Sequence, residues 1–289
     1  MATATFDSQP GGTQTLATFK GWAKGFHDAL IAVGLVQTSD TGQVDLNAVA
    51  VLPTASTTVG YIIYRFNDTM QATAPLFLRI EYKVGASSRA RIDFQVGTST
   101  DGAGTLNGFA AVANLVLASN ADSNPYSTFV AAGDGYLAAS LFCWTATGPG
   151  TTMFILERSR EIIAGTDTPT GAGVLIGALD SNIKTYSYTA KVALDHRGGN
   201  SVPTFGNTIS AGLGLTPVRP ALAFLSGGVP WQPVTFVGVL PTDAPTVPFD
   251  VILNGVTRTY LVPTVPAGIG FFISSSGTIY ARSTAILYS

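Results

Sequence analysis

From residue 36 onward the sequence consists of short runs rich in β-branched and aromatic residues, which Gly, Pro, Asn or Asp interrupts about every ten residues. Runs of this length with this punctuation are typical of β-sandwiches and barrels, whose short strands are joined by tight turns. No internal repeat of fixed period accompanies the pattern, which disfavours a propeller or a solenoid. We therefore predict a mainly β protein of the β-sandwich type, with jelly-roll-like regions and one N-terminal α-helix.

Several of these runs have the composition and length of single strands. Within residues 91–96, the apolar Ile92, Phe94 and Val96 alternate with polar residues, so one face of this strand should be buried and the other wet. Asn254-Gly255 is the strongest two-residue hairpin signal in the chain, because both turn positions need positive φ. The predicted strands comprise residues 61–66, 76–84, 90–96, 136–145, 153–163 and 183–193, with hairpins in 248–262 and 270–282 and a Gly-Pro-Gly turn at 148–150.

The single helix that the sequence predicts covers residues 13–34. Apolar residues recur there at steps of three and four, Thr13 or Thr15 can cap the start, and Gly34 stands where a left-handed residue ends a helix. Gly21 and Gly25 weaken this helix by about 1 kcal/mol each relative to Ala. We therefore expect packing to hold it, either against β structure or against a neighbouring subunit. The side chains expected to make this contact are Phe19, Trp22, Phe26 and Leu30.

Changes in composition divide the chain into three parts. Residues 1–12 have the character of an extended arm that ends in Pro-Gly-Gly, and we expect this arm to reach a neighbouring copy, since nothing in it could fold alone. The small and polar stretch AGTDTPTGAG at 164–173 predicts a boundary. It separates a helix plus β domain, residues 13–165, from a second β domain, residues 166–289.

The scarcity of charge excludes several classes of function. Charged residues make up 11% of the 289 residues, against about 25% in a typical protein, and the net charge is −2 without any basic run. Such a chain cannot neutralise a row of phosphates, so we expect no nucleic-acid partner. Its apolar stretches are shorter than the roughly 18 residues that span a bilayer, so we expect no membrane insertion. The first residues lack the basic and apolar regions of a signal peptide, which favours a cytoplasmic site of synthesis.

The residue types used in nucleophilic catalysis are few. The chain has two histidines and one cysteine. His27 lies beside the apolar stripe of the helix, which favours a surface or hydrogen-bonded structural role. His196 follows Asp195, and a Ser-His-Asp triad could use it, but no Gly-x-Ser-x-Gly elbow supplies a nucleophile. Cys143 lies in an apolar run, which predicts a buried and inert thiol.

The glutamates do not predict an acid/base pair. Glu157 and Glu161 alternate with arginines in LERSREI, which favours a solvated strand face or an ion network at a subunit contact. Glu81 and Asp93 could meet across a hairpin, but like charges directly opposite one another are destabilising, so we expect them to be offset.

Two loops imitate ligand-binding motifs incompletely. Residues 120–124 begin like a calcium loop, but Pro125 and Ala131 stand where the loop needs its glycine and its bidentate acid. Gly102 and Gly104 lack the third glycine and the following helix of a dinucleotide site, so we expect them to serve backbone turns. The sequence therefore predicts no catalytic residue, no cofactor and no metal site, and we expect a protein that is not an enzyme.

Three stretches of the first 110 residues carry a resemblance to a known family. They are FKGWAKGFHDALIAVGLVQTSDTGQVDL from Phe19, YIIYRFNDTMQATAPLFLRIEYKVG from Tyr61 and RIDFQVGTSTDGAGTLNG from Arg91. Their order, with a helix, a DTGQ turn, a strand, an FND turn and a VGTSTDGAG loop, resembles that of tailed-bacteriophage virion structural proteins encoded in the tail and baseplate gene region. The resemblance implies a particle component in or near the tail, and three-fold or six-fold symmetry.

The expected function is therefore assembly within a phage virion, as a trimer or hexamer of this chain in contact with other virion tail proteins. A receptor-binding or carbohydrate-binding tail module is the alternative, with Trp231 and Tyr126 as the loop aromatics that would stack on a host surface glycan. A head-decorating or adaptor protein is a third candidate.

Overall fold

A computed structural model shows, over the residues that it describes, mainly β structure with a single helix near the N-terminus, which confirms the predicted mainly β class. The residues that the structure describes are 2–9, 13–85, 90–107, 110–116, 126–145, 148–160, 169–179, 182–188, 204–205, 209–210, 217–224, 230–231, 236–239, 249–253, 256–261 and 284–287.

The helix α1, Leu16–Ala32, begins and ends where the sequence provides caps. Thr15 is the N-cap: its side chain accepts a hydrogen bond from the Thr18 amide at 3.2 Å, while the Thr18 hydroxyl accepts one from the Thr15 amide at 2.9 Å. At the other end Gly34 has φ of 101° and donates its amide to the Ile31 carbonyl at 2.9 Å. The helix thus starts three residues later than predicted and ends at Ala32, two residues before the glycine that was expected to follow it in a left-handed conformation.

The described strands of the first two thirds of the chain form two antiparallel sheets and a small hairpin. They are β1 (Ala2–Ser8), β2 (Val36–Gln37), β3 (Thr57–Arg65), β4 (Phe77–Val84), β5 (Ala90–Gly97), β6 (Ser99–Thr100), β7 (Leu106–Asn107), β8 (Ala110–Val116), β9 (Tyr126–Gly133), β10 (Tyr136–Thr145), β11 (Gly148–Arg160), β12 (Pro169–Leu179) and β13 (Asn182–Tyr188).

Both sheets are built largely from hairpins between consecutive strands. The first sheet has the order β2-β3-β4-β5-β8, the second has the order β1-β9-β10-β11-β12-β13, and β6 pairs with β7. This sequential order is that of a meander, whereas a jelly roll contains Greek-key crossings. Strands β11 and β12 pair with each other, with Thr152 opposite Leu179. The boundary predicted after residue 165 therefore falls between two paired strands of one sheet.

Strands β10 and β11 form a hairpin, but its turn was predicted at the wrong residues. Gly148, Pro149 and Gly150 belong to β11 and pair with the last three residues of β10. Strand β12 begins to pair with β11 only at Thr152, so β11 has a partner on one side at Pro149. A proline, which lacks an amide hydrogen, is tolerated at such an edge position.

A third sheet contains the described strands of the last third of the chain. They are β14 (Thr204–Phe205), β15 (Ile209–Ser210), β16 (Pro217–Phe224), β17 (Pro230–Trp231), β18 (Phe236–Val239), β19 (Phe249–Leu253), β20 (Val256–Leu261) and β21 (Thr284–Leu287). Leu253 pairs with Val256, so the two-residue connection predicted between β19 and β20 is confirmed. The hairpin predicted in residues 270–282 lies outside the described residues.

One continuous core joins α1 to the first two sheets. The Trp22 ring lies 5.5 Å from that of Phe19 in an edge-to-face arrangement and 5.7 Å from that of Tyr82 in β4. On the side of the second sheet the same core includes Val130, Leu137 and Leu156, from β9, β10 and β11. The predicted alternation in β5 is confirmed, since its apolar side chains face this core.

Candidate functional site

The helix residues expected to contact β structure or a neighbour lie in the core of their own chain. Phe19 and Leu30 have no exposed surface, and Trp22 and Phe26 are 1% exposed. Of the two alternatives for this stripe, packing against β structure is the one that the structure shows. A neighbouring subunit would have to contact other side chains of the chain.

The two aromatic residues expected in binding loops both begin or end strands. Tyr126 is the first residue of β9, opposite Ser8 of β1. Trp231 lies in the two-residue strand β17, opposite Ala223 of β16. The side chains of these two residues and of Cys143 lie outside the described part of the structure. Glu161, His196 and residues 120–124 lie outside it entirely. Proline-rich context predicted a loop at Trp231, but an edge strand also tolerates Pro230.

His27 lines a polar pocket of about 320 Å³ between α1 and the segment that follows it. Its Nδ1 lies 2.8 Å from the Tyr64 hydroxyl, which is 3.3 Å from the Tyr82 hydroxyl, so the predicted hydrogen-bonded role is observed. The polar lining includes Lys24, His27, Asp28, Gln37, Asp45 and Asn47. Lys24 and Asp28 form an ion pair with each other. The other polar groups of the lining could bind a small polar molecule through hydrogen bonds.

Burial fixes the protonation states of this chain of hydrogen bonds. It lowers the pKa of His27 below its ordinary 6.5, and attraction to Asp28 offsets only part of this effect. Burial also raises the pKa of Tyr64 and of Tyr82. At neutral pH His27 is therefore uncharged and both tyrosines keep their protons, which suits a structural hydrogen bond.

A second cluster covers the face of β4 and β5 that points away from the core. Glu81 and Asp93 stand directly opposite each other, so the expectation that they are offset was wrong. Lys83 forms ion pairs with both carboxylates and lies 2.7 Å from Glu81, while Arg79 lies 2.6 Å from Glu81. Because cations flank both carboxylates, the like charges do not force the strands out of register.

Hydrogen bonds between members of this cluster shift the pKa values of Glu81 and Lys83. Burial alone would raise the pKa of Glu81, but hydrogen bonds from Lys83 and Arg79 outweigh that effect and lower the pKa below 4.5. Burial would lower the pKa of Lys83, but hydrogen bonds to Asp93 and Glu81 raise it instead. The side chains of the five members, which include Arg91, are only 12–25% exposed.

A third cluster lies where the connection between β3 and β4 packs on the second sheet. Arg158 is fully buried, and its Nε and Nη2 donate to the Asp68 carboxylate at 2.6 and 3.0 Å. Its Nη1 donates to the Ala74 carbonyl at 2.8 Å. Glu157 is also fully buried, so the solvated strand face predicted for this segment was wrong. The alternation of charges could not reveal that residues 66–76 cover β11.

The same connection is tied to the turn between β9 and β10. The amide and the hydroxyl of Thr69 donate to one oxygen of the Asp134 carboxylate at 3.0 and 2.9 Å. Together with the pair of Arg158 and Asp68, this contact fixes the FND turn on the second sheet. No local sequence signal could have paired residues that are 65 and 90 positions apart.

The loop glycines have the predicted backbone role. Gly102 and Gly104 have φ of 78° and 103°, which an L side chain rarely adopts. A Cβ at Gly104 would lie 2.1 Å from the Tyr61 hydroxyl. That hydroxyl donates to the Thr41 carbonyl at 2.7 Å and joins this loop to the DTGQ turn.

Removing Lys83 tests the charge cluster. Lys83→Ala should reduce the free energy of unfolding at pH 7 by about 1–2 kcal/mol, because the opposed carboxylates lose their shared cation. The lowered pKa of Glu81 gives stability that is present above its ordinary 4.5 and lost as pH falls through the folded value. Urea unfolding should therefore show the variant approaching the parent in acid. Lys24→Ala, at an exposed ion pair, is the control with little change expected, and a pH-independent loss for Lys83→Ala would refute the account.

The buried pair of Arg158 and Asp68 calls for a double-mutant cycle. Arg158→Met should cost about 3–5 kcal/mol, because it leaves a buried carboxylate uncompensated. Adding Asp68→Asn should recover part of that loss, so the two effects should not add. Chemical unfolding of the four proteins measures this coupling, and strictly additive losses would show that the pair does not join the two sheets.

Comparison with known proteins finds no matching family model, no matching curated protein and no matching solved structure. Among the described residues, no group of three or more His, Cys, Asp or Glu side chains is placed to hold a metal ion. Within the same part of the chain, no helix has the length and apolar content needed to cross a membrane.

Proposed function

We propose that this protein is a non-enzymatic structural component of a tailed-phage virion, in the tail or baseplate, and that it acts through oligomeric assembly. The proposal begins from the resemblance of the three stretches before residue 110. The structural support for it comes from the hydrogen bonds and the ion pair that residues of those stretches form.

The single observation that carries the proposal is that polar side chains of the FND, DTGQ and VGTSTDGAG segments form hydrogen bonds within the chain. Asp68 of the FND turn receives the buried Arg158. Gln43 of the DTGQ turn donates to the Thr38 carbonyl at 2.7 Å and accepts from the Ile63 amide at 2.8 Å. Asp101 of the VGTSTDGAG loop accepts from the Thr105 amide at 2.9 Å.

The charge balance favours association between copies. With 11% charged residues and a net charge of −2, little electrostatic repulsion keeps identical chains apart. Strand β1 is also an edge of the second sheet, and a neighbouring subunit can cover such an edge. Closed cyclic symmetry satisfies faces of this kind without indefinite growth. A homotrimer or a hexamer fits the symmetry that the resemblance implies.

The pocket beside His27 favours one second candidate, a tail module that binds a host surface glycan. Its amides and carboxylates are the groups that commonly bind hydroxyls, and its volume of about 320 Å³ suits a small sugar. In this alternative the binding residues are in the pocket rather than at Trp231 and Tyr126.

Native mass measurement tests the assembly proposal. We expect a species of three or six chains of 29.9 kDa, and the same stoichiometry, or a multiple of it, in purified particles. The preparation should hydrolyse neither peptides nor glycans. A strictly monomeric protein at high concentration that is also missing from the particles would contradict the proposal, and reproducible turnover would contradict its non-enzymatic part.

A further inference from the structure

Strand β1 occupies a groove between the edge of β9 and the helix α1. Its seven residues pair with β9 in unbroken register, from Ala2 opposite Ala132 to Ser8 opposite Tyr126. Ala2, Ala4 and Phe6 point toward the core and are partly buried, whereas the alternate residues are exposed. The groove therefore recognises an extended segment with small or aromatic side chains at every second position.

A glycine of the helix shapes the deepest part of this groove. A Cβ at Gly25 would lie 2.6 Å from the Phe6 ring, so only glycine lets the ring sit this close to the helix. Gly21, one turn earlier on the same helix, has no atom within 4 Å of such a Cβ. Of the two glycines that weaken α1, Gly25 is thus the one that Phe6 requires.

The outer face of the strand carries a side-chain hydrogen bond to β9. The Ser127 hydroxyl donates to the Asp7 carboxylate at 2.6 Å, and both residues are exposed. Asp7 and Ser127 stand directly opposite each other in the pairing of β1 with β9. This pair marks a position where two engineered side chains would meet on the solvent side.

The contacts of β1 do not depend on which copy supplies the strand. Its side chains lie at the margin of the core, which is otherwise built from α1 and the remaining strands. Residues 9–15, which contain Pro-Gly-Gly, join β1 to α1. The strand has no proline and no bulge, two features that usually keep an edge strand from pairing elsewhere, and Asp7 is its one charged residue.

We propose that in the assembled protein β1 of one copy occupies the groove between β9 and α1 of the next copy. This inference rests on the proposed function, because it names the contact by which the copies assemble. Exchange preserves every contact that β1 makes within one chain, so it costs little and links the copies. If each copy in a ring gives its β1 to the next copy, these head-to-tail contacts close a cyclic oligomer.

A cysteine pair on the solvent side tests the exchange. Asp7→Cys and Ser127→Cys are combined in a Cys143→Ser background, and the assembled protein is oxidised to form a disulfide or treated with a short bis-maleimide, which alkylates both thiols. Denaturing electrophoresis without reductant should then show covalent dimers and higher species. The matched control is Asp250→Cys with Thr259→Cys, another bonded cross-strand pair, in a hairpin too tight to exchange. This control should link only within one chain.

The outcomes separate this inference from the proposed function. Links within one chain in an oligomeric protein would overturn strand exchange and leave assembly standing. Links within one chain in a monomeric protein would overturn both.

Two helix variants give an independent measurement. Gly25→Ala should raise the dissociation constant of the oligomer at least about tenfold, because the new Cβ displaces the exchanged Phe6. Gly21→Ala should leave the dissociation constant unchanged. If Gly25→Ala had no effect on dissociation, β1 would not belong to the contact between copies.

Discussion

The burial of one face of α1 is the constraint on which the described architecture depends. Burying a large apolar side chain contributes roughly 1.5–3 kcal/mol, so Phe19, Trp22, Phe26 and Leu30 together outweigh the cost of about 1 kcal/mol at each helix glycine. These side chains need cover on more than one side. The first sheet supplies Tyr82, the second supplies Val130 and Leu137, and the helix thereby makes one core of both.

Ion pairs fix the relative positions of the segments that the apolar core brings into contact. Hydrophobic contact has no direction, whereas the bidentate contact of Arg158 with Asp68 allows only one placement of the connection between β3 and β4. The cluster around Lys83 does the same for the register of β4 and β5, where it permits two carboxylates to stand opposite each other. A chain with few charges has concentrated several of them at positions that define its geometry.

Local patterns predicted α1 and several of the strands but not β1, β8, β9 or β12, and distant contacts decided what the patterns left open. The caps of α1, the alternation of β5 and the extent of β10 follow from neighbouring residues, so the sequence could predict them. The burial of Arg158 depends on a connection about 90 residues away, and the opposition of Glu81 and Asp93 depends on cations from both strands. The pocket at His27 was missed for the same reason, although Asp45 and Asn47 follow the helix closely in sequence.

Native-state hydrogen exchange tests most directly whether α1 and the two sheets form one cooperative core. If they do, the slowest amides of α1, β4, β5 and β10 should exchange through the same opening, with one free energy and one dependence on denaturant. Strand β1, at the margin of the core, should open at lower free energy. Loss of protection in β10 and β11 at a denaturant concentration where α1 and β4 stay protected would contradict the account.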